Sequence, residues 1–164
     1  MSPLHAATAD RLTAALADGP TALFAELSAL FTAVPGIRTA TFIAVAPDKS
    51  VTHRIGTSNP RDFPVGNVDP VDNGPWNTAI LRDMKPVIGD SIAGMSAFLP
   101  ETDGLVAMGY GDCACFPIVI GGETRGVVAL LGDSGVFTAG ALAQITALLP
   151  IAALIFTFPG ISER

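Results

Sequence analysis

Charge is scarce in this chain. Only 15% of its 164 residues are Asp, Glu, Lys or Arg, and 9 basic against 15 acidic residues leave a formal net charge of −6 and a pI of about 4.6. There is no basic cluster, which argues against nucleic acid and against an anionic membrane surface as partners. Cysteine is equally sparse. Two cysteines cannot make a secreted disulfide framework. Together with the only histidines, His5 and His53, they supply too few ligands for a recognisable metal centre. The first residues, MSPLHAATADRL, contain no basic segment followed by an apolar run, so no signal peptide is expected. Internal repeats and low-complexity segments are also missing. What remains is a soluble, cytoplasmic chain of one domain, 49% apolar and long enough to bury a sizeable core.

One region lacks charge altogether. Residues 134–162 hold no Asp, Glu, Lys or Arg, and LLPIAALIF lies near their centre. Length alone permits a membrane span. Gly135, Thr138, Gly140, Gln144 and Thr146 dilute the first half, however, and Pro150 interrupts the second. The composition favours a helix buried in a core or in a dimer interface.

The apolar pattern sets the order of elements. Ser2-Pro3 can start a first helix carrying Leu4, Leu12 and Leu16, with Gly19 as its stop. Pro20 opens a second helix, in which Leu23, Phe24, Leu27, Leu30, Phe31 and Val34 recur at three- and four-residue spacing. Pro35-Gly36 ends it. Residues 39–47, TATFIAVAP, read as a strand, and VTHRIGTS as its hairpin partner across the turn DKS. Residues 59–75 are a loop rich in Pro, Gly, Asn and Asp. Pro75 suits the first turn of a short helix, WNTAILRDM, with Asn73 as a possible cap, and KPVIGD is strand-like. Residues 91–112 show no clean period but carry Met95, Phe98, Met108 and Tyr110. Long irregular segments with such side chains are usually functional or packed over something. Two β-prone runs then flank the turn GGET, and a final helix opens with Thr138 as a plausible cap. Terminal helices around mostly antiparallel strands give an α+β layer: helices on one sheet face, short helix and loops on the other, where a small-molecule cavity tends to form.

This order of motifs resembles the GAF domain family. Residues 73–90, NGPWNTAILRDMKPVIGD, are similar to its short helix leading into G-K-P-hydrophobic-D. CACFPIVIGGETRGVVALLGD is similar to its strand with an internal Pro, here Pro117, its Gly-containing turn, and a second strand beginning with Gly, here Gly126. VFTAGALAQITAL resembles its closing helix. The resemblance implies an N-terminal helical extension at 1–19, a stand-alone GAF-like domain at 20–158 and a tail at 159–164. It also implies an antiparallel sheet of order 2-1-5-4-3 with a ligand cavity on one face. Members of the family bind small molecules such as cyclic nucleotides, bilins, haem or amino-acid derivatives, and often dimerise through their terminal helices. No cofactor or ligand is named by the sequence. It has no N-K-x-D-E string of the cyclic-nucleotide type and no Cys-His pair of the bilin-attachment type. The family's enzyme that reduces free methionine sulfoxide uses three cysteines, and this chain has Cys113 and Cys115 alone.

The cysteines lie one residue apart in a strand and therefore point to the same face, with Val119. Neighbours along one extended strand are poorly placed for a disulfide. In the implied strand order two other strands separate His53 from the cysteines, about 14 Å at the usual spacing, too far for a Cys-His nucleophilic pair. The thiols read as small buried hydrophobes, or as pocket-lining or redox-active groups. Trp76 and Tyr110 suit a pocket wall or ordinary packing. Asp112 is a solvated loop end or a group orienting a polar ligand atom. Met95, Phe98 and Met108 form an adaptable lid or fill gaps in a core. Glu101 and Asp103 have no evident partner.

Three functions fit these residues: a small-molecule-binding sensor in signal transduction, a thiol-dependent reductase, and a dimerisation module without ligand. The leading expectation is the sensor, not a catalyst. Its cavity is expected to be walled by Trp76, Met95, Phe98, Met108, Tyr110, Asp112, Cys113 and Cys115. A homodimer is expected through the helices at residues 23–34 and 142–156, whose apolar residues exceed what one sheet face can cover.

Overall fold

The computed structural model describes residues 6–163. Ser2, Pro3, Leu4 and His5, assigned above to the start of the first helix and its surroundings, lie outside them. Helices α1 (Ala6–Asp18) and α2 (Pro20–Thr32) are separated by Gly19, whose φ of 109° is costly for a side-chain-bearing residue, and Pro20 begins α2 as its missing N–H allows. Strand β1 (Ile37–Val45) pairs with β2 (Val51–Thr57) as the expected hairpin. A three-residue strand β3 (Val68–Pro70) follows, then α3 (Pro75–Asn77) and β4 (Val87–Gly89). Two short helices, α4 (Ile92–Ser96) and α5 (Thr102–Ala107), precede the long hairpin of β5 (Asp112–Ile120) and β6 (Glu123–Gly132). Helix α6 (Ala139–Ala152) closes the fold and tightens into a 3-10 stretch, Ala153–Thr157.

The sheet has the order β3-β2-β1-β6-β5-β4, and every neighbouring pair is antiparallel. Leaving aside the edge strand β3 and renumbering, this is the expected order 2-1-5-4-3. Strand alternation assigns the two faces. Ala40, Phe42, Ala114, Phe116, Val128 and Leu130 point to the face covered by α2 and α6, where they meet Leu23, Leu27, Phe31, Ile145 and Ile155. Phe31, Phe42, Leu23 and Leu27 are fully buried there. Two glycines let rings lie flat against this face. A Cβ at Gly126 would collide with the Phe156 ring, and one at Gly56 would stand 2.6 Å from the Phe24 ring. Thr138 caps α6, its Oγ1 accepting from the Ala141 N–H at 3.2 Å. Helix Ala139–Thr157 is long and apolar enough to cross a membrane, with mean hydropathy 2.0, but Ala141, Ile145, Leu148 and Ala152 are buried within this domain.

The other face departs from the sequence reading in four places. First, the loop at 59–75 contributes β3, which pairs with β2 through Val51–Pro70, Thr52–Asp69 and His53–Val68. Pro70 is tolerated because β3 is the edge strand. Second, Asn73 does not cap the short helix. Gly74 occupies that position, and Asp72 Oδ1 accepts from the Gly74 N–H at 2.7 Å and from Asn77 Nδ2 at 2.6 Å. Third, after one α-turn that helix widens to a π-turn, Thr78–Arg82, and the Ile80 carbonyl accepts instead from Thr124 Oγ1 of β6 at 2.9 Å. Fourth, the irregular segment resolves into α4 and α5. Ser91 caps α4, accepting from the Gly94 N–H at 3.0 Å.

Candidate functional site

A cavity of about 530 Å³ lies between this second face and the segments that cross it. The sheet supplies its floor: Thr41 and Ile43 from β1, Cys113 and Cys115 from β5, Ala129 and Leu131 from β6. These residues alternate with the helix-facing ones, so the floor follows directly from strand periodicity. Small side chains at Cys113, Cys115 and Ala129 keep it hollow. Trp76, Phe98 and Leu99 form an apolar wall. A second wall is mostly polar, with Thr52 and Arg54 of β2, Asn67 and Asp69, and the ring of Phe63; Asp72, Asn77 and Glu101 also line the cavity. Volume and mixed lining fall in the range of small-molecule sites.

Four of the eight residues expected around a ligand line this cavity: Trp76, Phe98, Cys113 and Cys115. The other four lie outside the lining, each for a visible reason. Met95 is fully buried in a cluster with Leu105, Tyr110, Cys113 and Leu131. Met108 sits at the end of α5 and is exposed. Tyr110 is buried, its hydroxyl 2.6 Å from Thr39 Oγ1, with the Arg38 guanidinium 4.4 Å over its ring. Asp112 is no solvated loop end: it begins β5, is 1% exposed, and its Oδ2 accepts from the Gly135 N–H at 2.6 Å while Oδ1 is buried without a partner. It ties the start of β5 to the turn before α6. Val119 keeps the cysteines' face, since Ile118 and Ile120 on either side of it pack into the helix-side core, but it is exposed beyond the cavity.

The thiols are free and buried. Burial pushes Cys115 up to about 12, with the neighbouring Cys113 adding to the shift and a hydrogen bond from Trp76 opposing it. Burial likewise pushes Cys113 up to about 11, opposed by the Gly89 backbone and reinforced by the charge of Asp112. Both therefore rest as neutral thiols at physiological pH, which disfavours nucleophilic attack. His53 is on β2, separated from β5 by β1 and β6. Among the described residues no group of three or more His, Cys, Asp or Glu is placed to hold a metal ion.

Among the charged lining residues, Arg54 and Asp69 were not singled out by the sequence reading, and Glu101 was given no role by it. Arg54 is half-buried, its Nη1 donates to the Pro64 carbonyl at 3.3 Å, and its guanidinium carbon lies 5.6 Å over the Phe63 ring. A cation in the middle of a strand, on the face where Thr52 also points, was the available signal. Asp69 and Glu101 carried none, because the loops that bring them to the cavity have no period.

The GAF domain family profile matches residues 20–157. The chain belongs to the GAF domain family. No curated protein matches its sequence. Solved GAF structures superpose closely at low identity. The GAF domain of an Acinetobacter phosphoenolpyruvate-protein phosphotransferase is 10% identical with TM-score 0.69, over 95% of this chain and 94% of that one. The phycoerythrobilin-bound GAF domain of a cyanobacterial phytochrome is 16% identical with TM-score 0.68, over 96% and 97%. The fRMsr of Staphylococcus aureus, in complex with substrate, is 12% identical with TM-score 0.66, over 96% and 99%. At such identities the likeness is one of fold.

Proposed function

We propose that this GAF domain is a sensor or regulatory domain in signal transduction that binds a small molecule in the cavity over Cys113 and Cys115. The observation that carries the reading is the cavity itself: about 530 Å³ lined by one aromatic wall, one polar wall and a floor of small side chains. A receptor needs an apolar enclosure with a few polar groups, and this lining provides both. A thermal-shift screen of metabolites tests the reading, run beside an Ala129→Leu variant that fills the floor. A ligand at about a hundred times its dissociation constant adds roughly 2.7 kcal/mol to stability. Stabilisation of the wild type that Ala129→Leu abolishes is the expected result; no stabilisation by any compound counts against a ligand.

A thiol-dependent reductase is the second reading, favoured by the two thiols in the cavity floor. Against it stand their raised pKa values and the lack of an adjacent base. Reduction of methionine sulfoxide by the wild type, lost in Cys115→Ser, would establish it. We further take the domain to be a cytoplasmic homodimer. Leu142, Leu149 and Ile151 on α6 are only partly buried and Leu154 beyond it is exposed, which supports an interface through residues 142–156 together with residues 23–34. Sedimentation as a monomer at tens of micromolar, an order-of-magnitude working concentration, would count against the dimer.

A further inference from the structure

The polar wall narrows the class of ligand. Among the described residues Arg54 is the only cation lining the cavity, and three carboxylates, Asp69, Asp72 and Glu101, line it with Arg54. Asp72 is engaged by the Gly74 N–H and Asn77. Arg54 is not engaged in the same way. Among the described residues it belongs to no ion pair, Nη1 to Pro64 is its one side-chain hydrogen bond, and Nε is buried without a partner. Yet Asp69 and Glu101 are near enough for their charges to favour the cationic guanidinium against the burial that opposes it. A guanidinium presents a fork of donors matched to a carboxylate, and leaving such donors unfilled in a partly buried place is unfavourable.

Resting on the sensor reading, we infer that the cavity takes a zwitterionic small molecule with a flat apolar body. Its carboxylate sits on the Arg54 guanidinium, its ammonium faces Asp69 and Glu101, and its body lies against Trp76 and Phe98. Each alternative leaves one half of the wall unanswered. A phosphate dianion meets one guanidinium among three carboxylates, and the repulsion outweighs a single fork. A simple cation satisfies Asp69 and Glu101 but leaves the rest of the guanidinium fork without an acceptor. A neutral apolar molecule leaves the donors of Arg54 unfilled and drier than before. Only a ligand with an acceptor and a cationic donor at one end answers both halves of the wall, and the Trp76–Phe98 side asks for an aromatic body.

Four probes of one shape separate these cases by calorimetry on the full chain: L-phenylalanine, phenylalaninamide, 3-phenylpropionate and phenyl phosphate. The expected result is binding of phenylalanine, at least about tenfold weaker binding of the amide and of phenylpropionate, and no binding of the phosphate. Arg54→Met should remove the preference for the acid over the amide. Asp69→Asn combined with Glu101→Gln, both at exposed positions, should remove the preference for the amino acid over phenylpropionate. Circular dichroism confirms that each variant is folded. Failure of all four probes to bind at millimolar concentration overturns the inference. So does phenyl phosphate binding as tightly as phenylalanine, or an acid-to-amide ratio that Arg54→Met leaves unchanged. The sensor reading stands or falls separately: it survives if a screened metabolite of another class stabilises the wild type and not Ala129→Leu, and fails if none does.

Discussion

The two faces of the sheet are made by the same strands, residue by residue in alternation, yet one is filled and the other hollow. On the helix side Phe42, Phe31, Leu23 and Leu27 exclude solvent completely, and Gly56 and Gly126 give up their side chains so that Phe24 and Phe156 can lie close. On the other side the strands present Cys113, Cys115, Ala129 and Thr41, and the covering segments arch over them instead of settling. Small residues serve opposite ends on the two sides. Under a long regular helix they admit a ring; under loops and short helices they leave room.

The contrast predicts unequal costs for equal truncations. Phe42→Ala should lose about 3–5 kcal/mol of stability in urea unfolding, because a fully buried ring leaves a void that its neighbours cannot close. Phe98→Ala should lose only about 1 kcal/mol, since Phe98 is partly exposed and borders space that is already open. Comparable losses would mean that the second face is packed as tightly as the first. Gly126→Ala comes next, at about 1–3 kcal/mol, as the added methyl must displace the Phe156 ring. An unchanged denaturation midpoint would show that α6 and the 3-10 stretch after it can slide.

The thiols give the hollow face a pH signature. Their folded-state pKa values, about 11 and about 12, lie above the ordinary thiol value of 9.0. The folded chain thus holds its thiol protons more tightly than the unfolded one. The stability due to this is fully present below about pH 9 and falls as pH rises toward the folded values, by up to about 1.4 kcal/mol per pH unit for each thiol. Urea midpoints at pH 8 and pH 10 should diverge in the wild type and much less in a Cys113→Ala, Cys115→Ala variant. Equal divergence in both would assign the effect to other groups. The smallest effect belongs to the filled face: Thr138→Ala should cost about 1 kcal/mol through loss of the α6 cap.

The filled face was also the legible one. The spacing of Leu23, Leu27 and Phe31, and the alternation through Phe42 and Phe116, are periodic signals that a regular core writes into a sequence. That Cys113 and Cys115 share one face followed from the same alternation; which face it is did not. The cavity's cover was much less legible. Strand β3 is short, ends in Pro70 and sits in a segment dense with turn residues, so nothing local marks it. Met95 and Met108 lie on helices too short for a period to show which one turns inward. Asp112 looked like a loop end because its burial is decided by Gly135, far along the chain. Arg54, Asp69 and Glu101 meet only through tertiary folding.

Trp76 lies in the cavity wall beside Phe98 and within reach of the Cys115 thiol, and it is the only tryptophan in the chain. Every photon the protein emits from an indole therefore originates at the rim of this one chamber. Thiols quench indole emission on contact, so anything that enters and parts the ring from the sulfur, or dries its surroundings, alters the brightness and colour of the whole molecule. The domain is born with an optical gauge of its own occupancy, and no dye or label has to be added to read it.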